Sequence, residues 1–289
     1  SNVKNLLFQK SKFQINLDEI QNLFLSDLEI LNEEENNIVF KKLKNLQNNK
    51  HVIVDIENYS QLNKFSLVIK KLIKKKKFLF RTAASFISSI TGIKRDPKDE
   101  IFFSNFRRKD NQNNFLSGLI VVGSYVKLST LQLKNLLKIN NCVPIEIDVW
   151  EFFKINSKEN NKDQIISLKN KFLRDIRFNL DKGKTPVLFT SRKFMSLDYS
   201  EQFNFYNALA IFISELVAEL KYEIGYLISK GGITTNVILS NALNADYVYL
   251  EGQILTGISL VTYKLKNHDK LPIITFPGNI GTPNSLAKV

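Results

Sequence analysis

The residues of this chain that could do chemistry gather in short glycine-containing runs. The sharpest is Gly231-Gly232-Ile233-Thr234-Thr235, which follows the apolar Tyr226-Leu227-Ile228 and is preceded directly by Lys230. Adjacent glycines let the backbone turn through positive φ and leave room for a ligand to approach. Thr234, Thr235 and Asn236 can cap a helix or hydrogen-bond an anion. Unpaired N–H groups at a helix start sit at the positive end of the dipole and favour phosphate. An ordinary strand-to-helix turn fits the local sequence equally well, because the run is neither a complete G-x-G-x-x-G nor a P-loop. Two further runs have the same form: Gly123-Ser124 after Leu119–Val122, and Pro277-Gly278-Asn279-Ile280-Gly281 after Leu271–Phe276. Strand ends of one parallel sheet lie on one side, so the three loops are expected to line a single cleft suited to a polyphosphate. Lys230 either pairs with that phosphate or points to solvent. Arg81, which follows Phe78-Leu79-Phe80, suits a bidentate hold on a carboxylate or phosphate, or caps local carbonyls.

Other chemistries find little support. The chain has one cysteine, Cys142, and two histidines, His51 and His268, far apart in sequence, so no zinc site is expected and no metal ligand is assigned. A Ser-His-Asp triad lacks its nucleophile elbow. Glu146 and Asp148 alternate with Ile145 and Ile147, which reads as a solvated strand face or, alternatively, as a place to hold Mg²⁺. A lone cysteine excludes an internal disulfide, suits the cytoplasm, and reads as a small buried hydrophobe.

These residues must be positioned by a substantial fold. At 289 residues, 44% of them hydrophobic, the chain can bury a real core in one large domain or two ordinary ones. No run approaches the roughly 18 uncharged apolar residues of a membrane span, and no membrane partner is expected. The net charge of +13 invites a nucleic-acid reading. The lysines are spread along the chain, however, and the densest cluster, Lys70-Lys71 with Lys74 to Lys77, falls at a helix end where cations are favourable. No nucleic-acid partner is expected.

Apolar spacing predicts a strand at 51–56, a helix at 59–76 and a strand at 78–80, a strand–helix–strand order that implies a parallel pair. An acidic stretch at 33–35 and a charged one at 94–100 are also present. Residues 104–114 are poor in apolar side chains and read as a linker. Beyond it, strands at 118–122, 143–149, 186–192, 226–228, 246–250, 259–264 and 271–276 alternate with helices. One of these helices is expected at 129–138, capped by Ser129 or Thr130, and the longest apolar one at 203–220. Gly252 to Gly257 reads as a turn. The fold class is therefore α/β: two α/β domains with mostly parallel sheets, the C-terminal one binding nucleotide without a Walker P-loop.

Taken together, the motifs resemble the four-carbon acid sugar kinases. The resemblance rests on Arg81-Thr82-Ala83-Ala84-Ser85-Phe86, Val121 to Tyr125, Thr190-Ser191-Arg192, Gly231 to Thr235 and Pro277 to Gly281, in the family's order and at similar spacing. It implies a two-domain kinase of carbohydrate metabolism, with residues 1–110 belonging to an acid-sugar-binding domain and residues 115–289 to an ATP-binding domain. The activity it implies is transfer of a phosphoryl group from ATP, with Mg²⁺, to the terminal hydroxyl of a threonate, erythronate or 3-oxo-tetronate. Ser124, Gly231, Gly232, Ile233, Thr234, Thr235 and Gly278 match the nucleotide-contacting positions, Arg81 matches the substrate side, and a homodimer is implied. Two departures stand beside it. The Asp-Asp motif that opens the family's substrate domain has no match, so the chain reads as the later part of a longer protein whose general base lies outside it. Ile233 also occupies a position where the family carries an acidic residue able to help hold Mg²⁺. The alternative is a non-catalytic nucleotide-binding module derived from such a kinase.

Overall fold

The computed structural model describes residues 2–29, 37–47, 50–93, 100–158, 160–192, 199–266 and 269–289. The acidic stretch at 33–35, most of the charged run at 94–100, and His268 lie outside the described residues. The chain forms two compact units, Ser1–Arg95 and Asp96–Val289.

In the first unit, helices α1 (Val3–Lys10), α2 (Leu25–Glu29), α3 (Ile38–Lys44), α4 (Tyr59–Leu72) and α5 (Ala84–Thr91) accompany strands β1 (Gln21–Leu23) and β2 (Val52–Val54). The two strands pair in parallel, Gln21 opposite Val52. Helix α4 buries Leu62, Phe65, Val68, Ile69 and Leu72, one face of a 3.6-residue period, against Leu23, Leu28, Val39, Phe40, Leu43 and Phe86. Asn58 caps it by accepting from the Gln61 N–H. The expected parallel pair exists, but its partner differs. Phe78-Leu79-Phe80 forms no strand pairing among the described residues, and β1, which carries little sequence pattern, takes the place beside β2. Phe78 and Phe80 instead stack on each other, and Phe80 packs against Phe86.

The second unit opens with α6 (Glu100–Ser104). It continues through β3 (Leu119–Val122), α7 (Lys127–Leu136), β4 (Cys142–Ile147), α8 (Val149–Asn156), α9 (Lys162–Asp181), β5 (Thr185–Thr190), α10 (Tyr199–Leu220), β6 (Leu227–Lys230) and α11 (Gly232–Val237). A π-helical turn at Ile238–Ala242, strands β7 (Tyr249–Leu255), β8 (Ile258–Lys264) and β9 (Lys270–Phe276), and α12 (Ser285–Lys288) complete it. The sheet order is β4-β5-β3-β6-β9-β8-β7. The first five strands are parallel, and β8 and β7 add an antiparallel edge.

Helices cover both faces of this sheet, which is why β3 is apolar at every position rather than alternately. Leu119 and Val121 face one layer with Ile176 of α9 and Leu216 of α10, whereas Ile120 and Val122 face another with Leu133 of α7 and Leu286 of α12. Burying each such side chain contributes roughly 1.5–3 kcal/mol. Glu201–Leu220 is, among the described residues, the one helix long and apolar enough to cross a membrane by length and composition. Here Leu209, Phe212, Ile213, Leu216 and Leu220 of that helix pack into the core.

Two local expectations shift. Residues 104–114 are part of the second unit rather than a linker. The Arg108 N–H donates to Gly225 O, Leu116 N–H returns to Arg108 O, and the Arg108 guanidinium donates to the carbonyls of Lys221 and Ile224 and pairs with Asp269 at 3.0 Å. Composition misses this because the segment is held largely by hydrogen bonds and by single contacts such as Phe106 against the core and Arg107 over the Phe115 and Tyr226 rings. Gly252 lies inside β7, opposite Leu260, where the register shifts, instead of starting a turn. A glycine within a strand often marks such an irregularity. The turn comes at Gly257, which has φ 78°.

Candidate functional site

Strands β3, β6 and β9 are neighbours at the centre of the sheet. The chain leaves β3 toward β4 on one side and leaves β6 toward β7 on the other. The connections therefore diverge between the carboxyl ends of β3 and β6, the topological switch point where open α/β sheets bind ligands.

The three glycine loops meet there. Gly231 has φ 121° and ψ 130°, a conformation that side-chain-bearing residues rarely adopt. Its N–H donates to Phe276 O at 2.9 Å, and the N–H groups of Gly123 and Ser124 both donate to Lys230 O, at 3.1 and 3.3 Å. Thr234 lies directly over Gly123, where an added Cβ would sit 2.0 Å from the Thr234 Oγ1 and 3.0 Å from its Cβ. A Cβ on Gly278 would sit 2.6 Å from the Ser124 Oγ. Ser129 Oγ donates to Gly278 O at 2.8 Å and lies 2.9 Å from Ser124 Oγ. Thr235 Oγ1 lies 2.8 Å from Ser229 Oγ.

The structure thus brings Ser124, Gly231, Thr234, Thr235 and Gly278 into one cluster, with Gly232 and Ile233 exposed at its rim. Ile233 is 71% exposed, and the position of a Gly232 Cβ is open for at least 4 Å. Arg81 belongs to the first unit. It is exposed just ahead of α5 and forms no hydrogen bond or ion pair among the described residues.

Several expected capping roles change. Helix α11 begins at Gly232 with Gly231 as its N-cap, so none of Thr234, Thr235 or Asn236 caps it. Helix α7 begins at Lys127 after Val126, and neither Ser129 nor Thr130 makes the cap. The buried Ser129 cross-links two loops instead. Asp148 lies just past β4 rather than on its face. It caps α8 by accepting from the N–H groups of Trp150 and Glu151. Cys142 is half-buried, and desolvation raises its thiol pKa.

Two basic residues supply the electrostatics. Lys230 is fully buried and does not point to solvent. Its Nζ donates to Pro277 O at 3.0 Å, approaches Gly278 O at 3.5 Å, and lies 3.9 Å from the centre of the Phe276 ring. Burial, then the nearby Arg192, lower its pKa to about 8. Arg192, at the end of β5, donates from Nη1 to Ser124 O at 2.6 Å. Its Nε and Nη2 are buried and have no hydrogen-bond partner among the described residues. Burial lowers its pKa, partly offset by the charge of Glu146. Arg192 lay within the Thr-Ser-Arg motif without an assigned role. The signal that could have singled it out is a basic residue ending a strand whose six positions are all buried.

Mg²⁺ takes hard oxygen ligands, usually including one or two carboxylates. The glycine loops offer the hydroxyls of Ser124, Thr234 and Thr235 and the amide of Asn279 but no carboxylate, beside the buried Lys230 and the partly buried Arg192. Among the described residues, no three His, Cys, Asp or Glu side chains gather as metal ligands. These loops do not fit Mg²⁺.

Residues 119–286 match the model of a family described as the nucleotide-binding C-terminal domain. No curated protein matches the chain. Among solved structures, a candidate tRNA synthase from Salmonella typhimurium LT2 is similar at TM-score 0.57 and 13% identity, over 93% of this chain and 58% of that one. A domain of unknown function from Bordetella bronchiseptica, a domain-swapped dimer with bound citrate, is similar at TM-score 0.48 and 14% identity, over 94% of this chain and 58% of that one. The chain therefore spans less than two thirds of the length of either.

Proposed function

Because the chain belongs to the nucleotide-binding C-terminal domain family, through more than half of its length, we propose that it is the nucleotide-binding part of a kinase. That kinase moves a phosphoryl group from ATP to the terminal hydroxyl of a four-carbon sugar acid of the threonate, erythronate or 3-oxo-tetronate type. The observation that carries this reading is the convergence of three glycine loops with the buried Lys230 and the partly buried Arg192 at the switch point of the matched domain. In it, Ser124, Gly231 to Thr235 and Gly278 hold the phosphates of ATP, and Arg81 holds the acid or the transferred phosphoryl. The acceptor oxygen attacks the γ-phosphorus, the bond to the β,γ-bridging oxygen breaks, ADP leaves, and a general base outside this chain takes the hydroxyl proton. Such transfer depends mainly on position and electrostatics rather than on covalent help from the protein. Activity in the cytoplasm and assembly as a homodimer complete the proposal.

Calorimetric titration of ATP into the wild type and into Gly232→Trp tests it. A Cβ at the exposed Gly232 meets nothing within 4 Å, so the variant is expected to fold, as thermal melting checks, and to block the approach of phosphate. Saturable binding by the wild type, lost in the variant, is the expected result, followed by a screen for turnover of tetronates. No ATP binding by the folded wild type overturns the reading. A second reading, a nucleotide-binding module without catalysis, is favoured by Ile233 and by the lack of a carboxylate in the loops. It predicts ATP binding without turnover of any tetronate.

A further inference from the structure

The unmatched edge of Arg192 is the most unusual feature of the site. Nε–H and one Nη2–H lie in the guanidinium plane and point in nearly the same direction, the side-on fork that grips two oxygens of one phosphate or carboxylate. Both nitrogens are buried, and no described group accepts from either. The remaining corner is committed, because Nη1 donates to Ser124 O at 2.6 Å and fixes the fork to the β3 loop. Leaving a buried charged donor unpaired is costly, and one accepting oxyanion removes that cost. The edge is closed to water, so admitting an anion requires the side chains over it to yield.

The charge around the fork points to the same ligand. Lys230, fully buried, couples electrostatically to Arg192 and holds the Pro277 and Gly278 carbonyls. Two like charges are kept close together with no carboxylate bonded to either among the described residues, and Glu146, whose charge acts on Arg192, is exposed. In many phosphate sites a divalent cation neutralises the oxygens, and protein carboxylates hold that cation. Here the position expected to carry an acidic side chain is Ile233, and the cations belong to the protein.

We propose that Arg192 is the phosphate receptor of the loop site and that, together with Lys230, it lets this chain bind the phosphates of a nucleotide without a divalent metal ion. The inference rests on the nucleotide reading given above and adds to it a residue and a mode of charge neutralisation.

The test is equilibrium titration of ADP and of adenosine into the wild-type chain, each in excess Mg²⁺ and in EDTA, repeated with Arg192→Met and Arg192→Lys. The wild type is expected to bind ADP with affinities that agree within about threefold in the two buffers. Arg192→Met is expected to lose at least tenfold in ADP affinity while its adenosine affinity is unchanged. Arg192→Lys, which keeps charge but lacks the fork, is expected to fall between them. Thermal melting establishes that each variant is folded, and the lysine variant carries the comparison if the methionine variant is not. ADP binding that appears only with Mg²⁺ overturns metal independence and leaves the nucleotide reading standing. Unchanged ADP affinity in the folded variants overturns the role of Arg192. A folded wild type that binds neither compound overturns the nucleotide reading itself, and this inference with it.

Discussion

Lys230 shows what one buried charge does to both stability and binding. It lies against the Phe276 ring and two carbonyl oxygens, and burial, then the charge of Arg192, lower its pKa from 10.5 to about 8. In the unfolded chain the amine holds its proton up to about pH 10.4. Below pH 8 both states are protonated, and the folded state carries the full penalty of a desolvated charge, roughly 3 kcal/mol. Between pH 8 and about 10.5 the unfolded state binds more protons, so the penalty is progressively relieved as pH rises. Lys230→Met is therefore expected to be less destabilised at pH 7, relative to the wild type, than at pH 10, as measured by urea denaturation at both values. Ligand binding has the opposite sign. An anion beside Lys230 favours the protonated form, so nucleotide affinity is expected to fall as pH rises through 8. A flat affinity between pH 7 and 9 would contradict this.

At the scale of elements, the strand ends are tied together by side chains that do not belong to the loops they support. Ser129, within α7, fastens the β9 loop through Gly278 O and touches Ser124 at the end of β3. Gln132, one turn further along, donates from Nε2 to the carbonyls of Ile280 and Thr282. The segment entering β3 is anchored from a distance in the same way. Arg108 reaches the end of α10 through Lys221 O and Ile224 O, and Asp110 closes its own turn by accepting from the N–H groups of Gln112 and Asn114. Arg108→Ala leaves two carbonyls without their charged donor and frees the segment. A loss of about 2 kcal/mol in the stability of the second unit is expected from urea unfolding. A change below about 0.5 kcal/mol would mean that the segment holds by other contacts.

For the whole molecule, ligand linkage offers a test that needs no assay of turnover. A ligand that binds only the folded state at 100 times its dissociation constant adds about 2.7 kcal/mol of stability. For a unit of this size, that raises the midpoint of unfolding by roughly 5–10 °C. ATP and ADP are expected to produce such a shift, and adenosine a smaller one. Equal shifts from random single-stranded DNA, abolished by moderate salt, would instead support the reading based on the net charge of +13.

Much of this was legible in the sequence because it is local. The apolar runs of β3, β5, β6 and β9 stand out from their neighbours, and the glycines after three of them mark where the chain must turn. Parallel order then puts those turns at one edge. Strands with weaker patterns are harder to place from sequence: β1 has no clear period, Phe78-Leu79-Phe80 reads as a strand yet pairs with none among the described residues, and β7 begins at Tyr249 rather than Asp246, because pairing depends on which partner lies alongside. The site chemistry was less legible still. That Lys230 turns inward to bond carbonyls 47 and 48 residues away is invisible to any local pattern. The same holds for Ser129 working as a cross-link rather than a cap, and for Arg192 sharing an edge with Ser124 across 68 residues. Sequence by itself determined the α/β class and the loops, since periodicity and glycine act on a residue's immediate neighbours. Only the tertiary structure decided which charges are buried together, since burial is a property of everything that packs around a group.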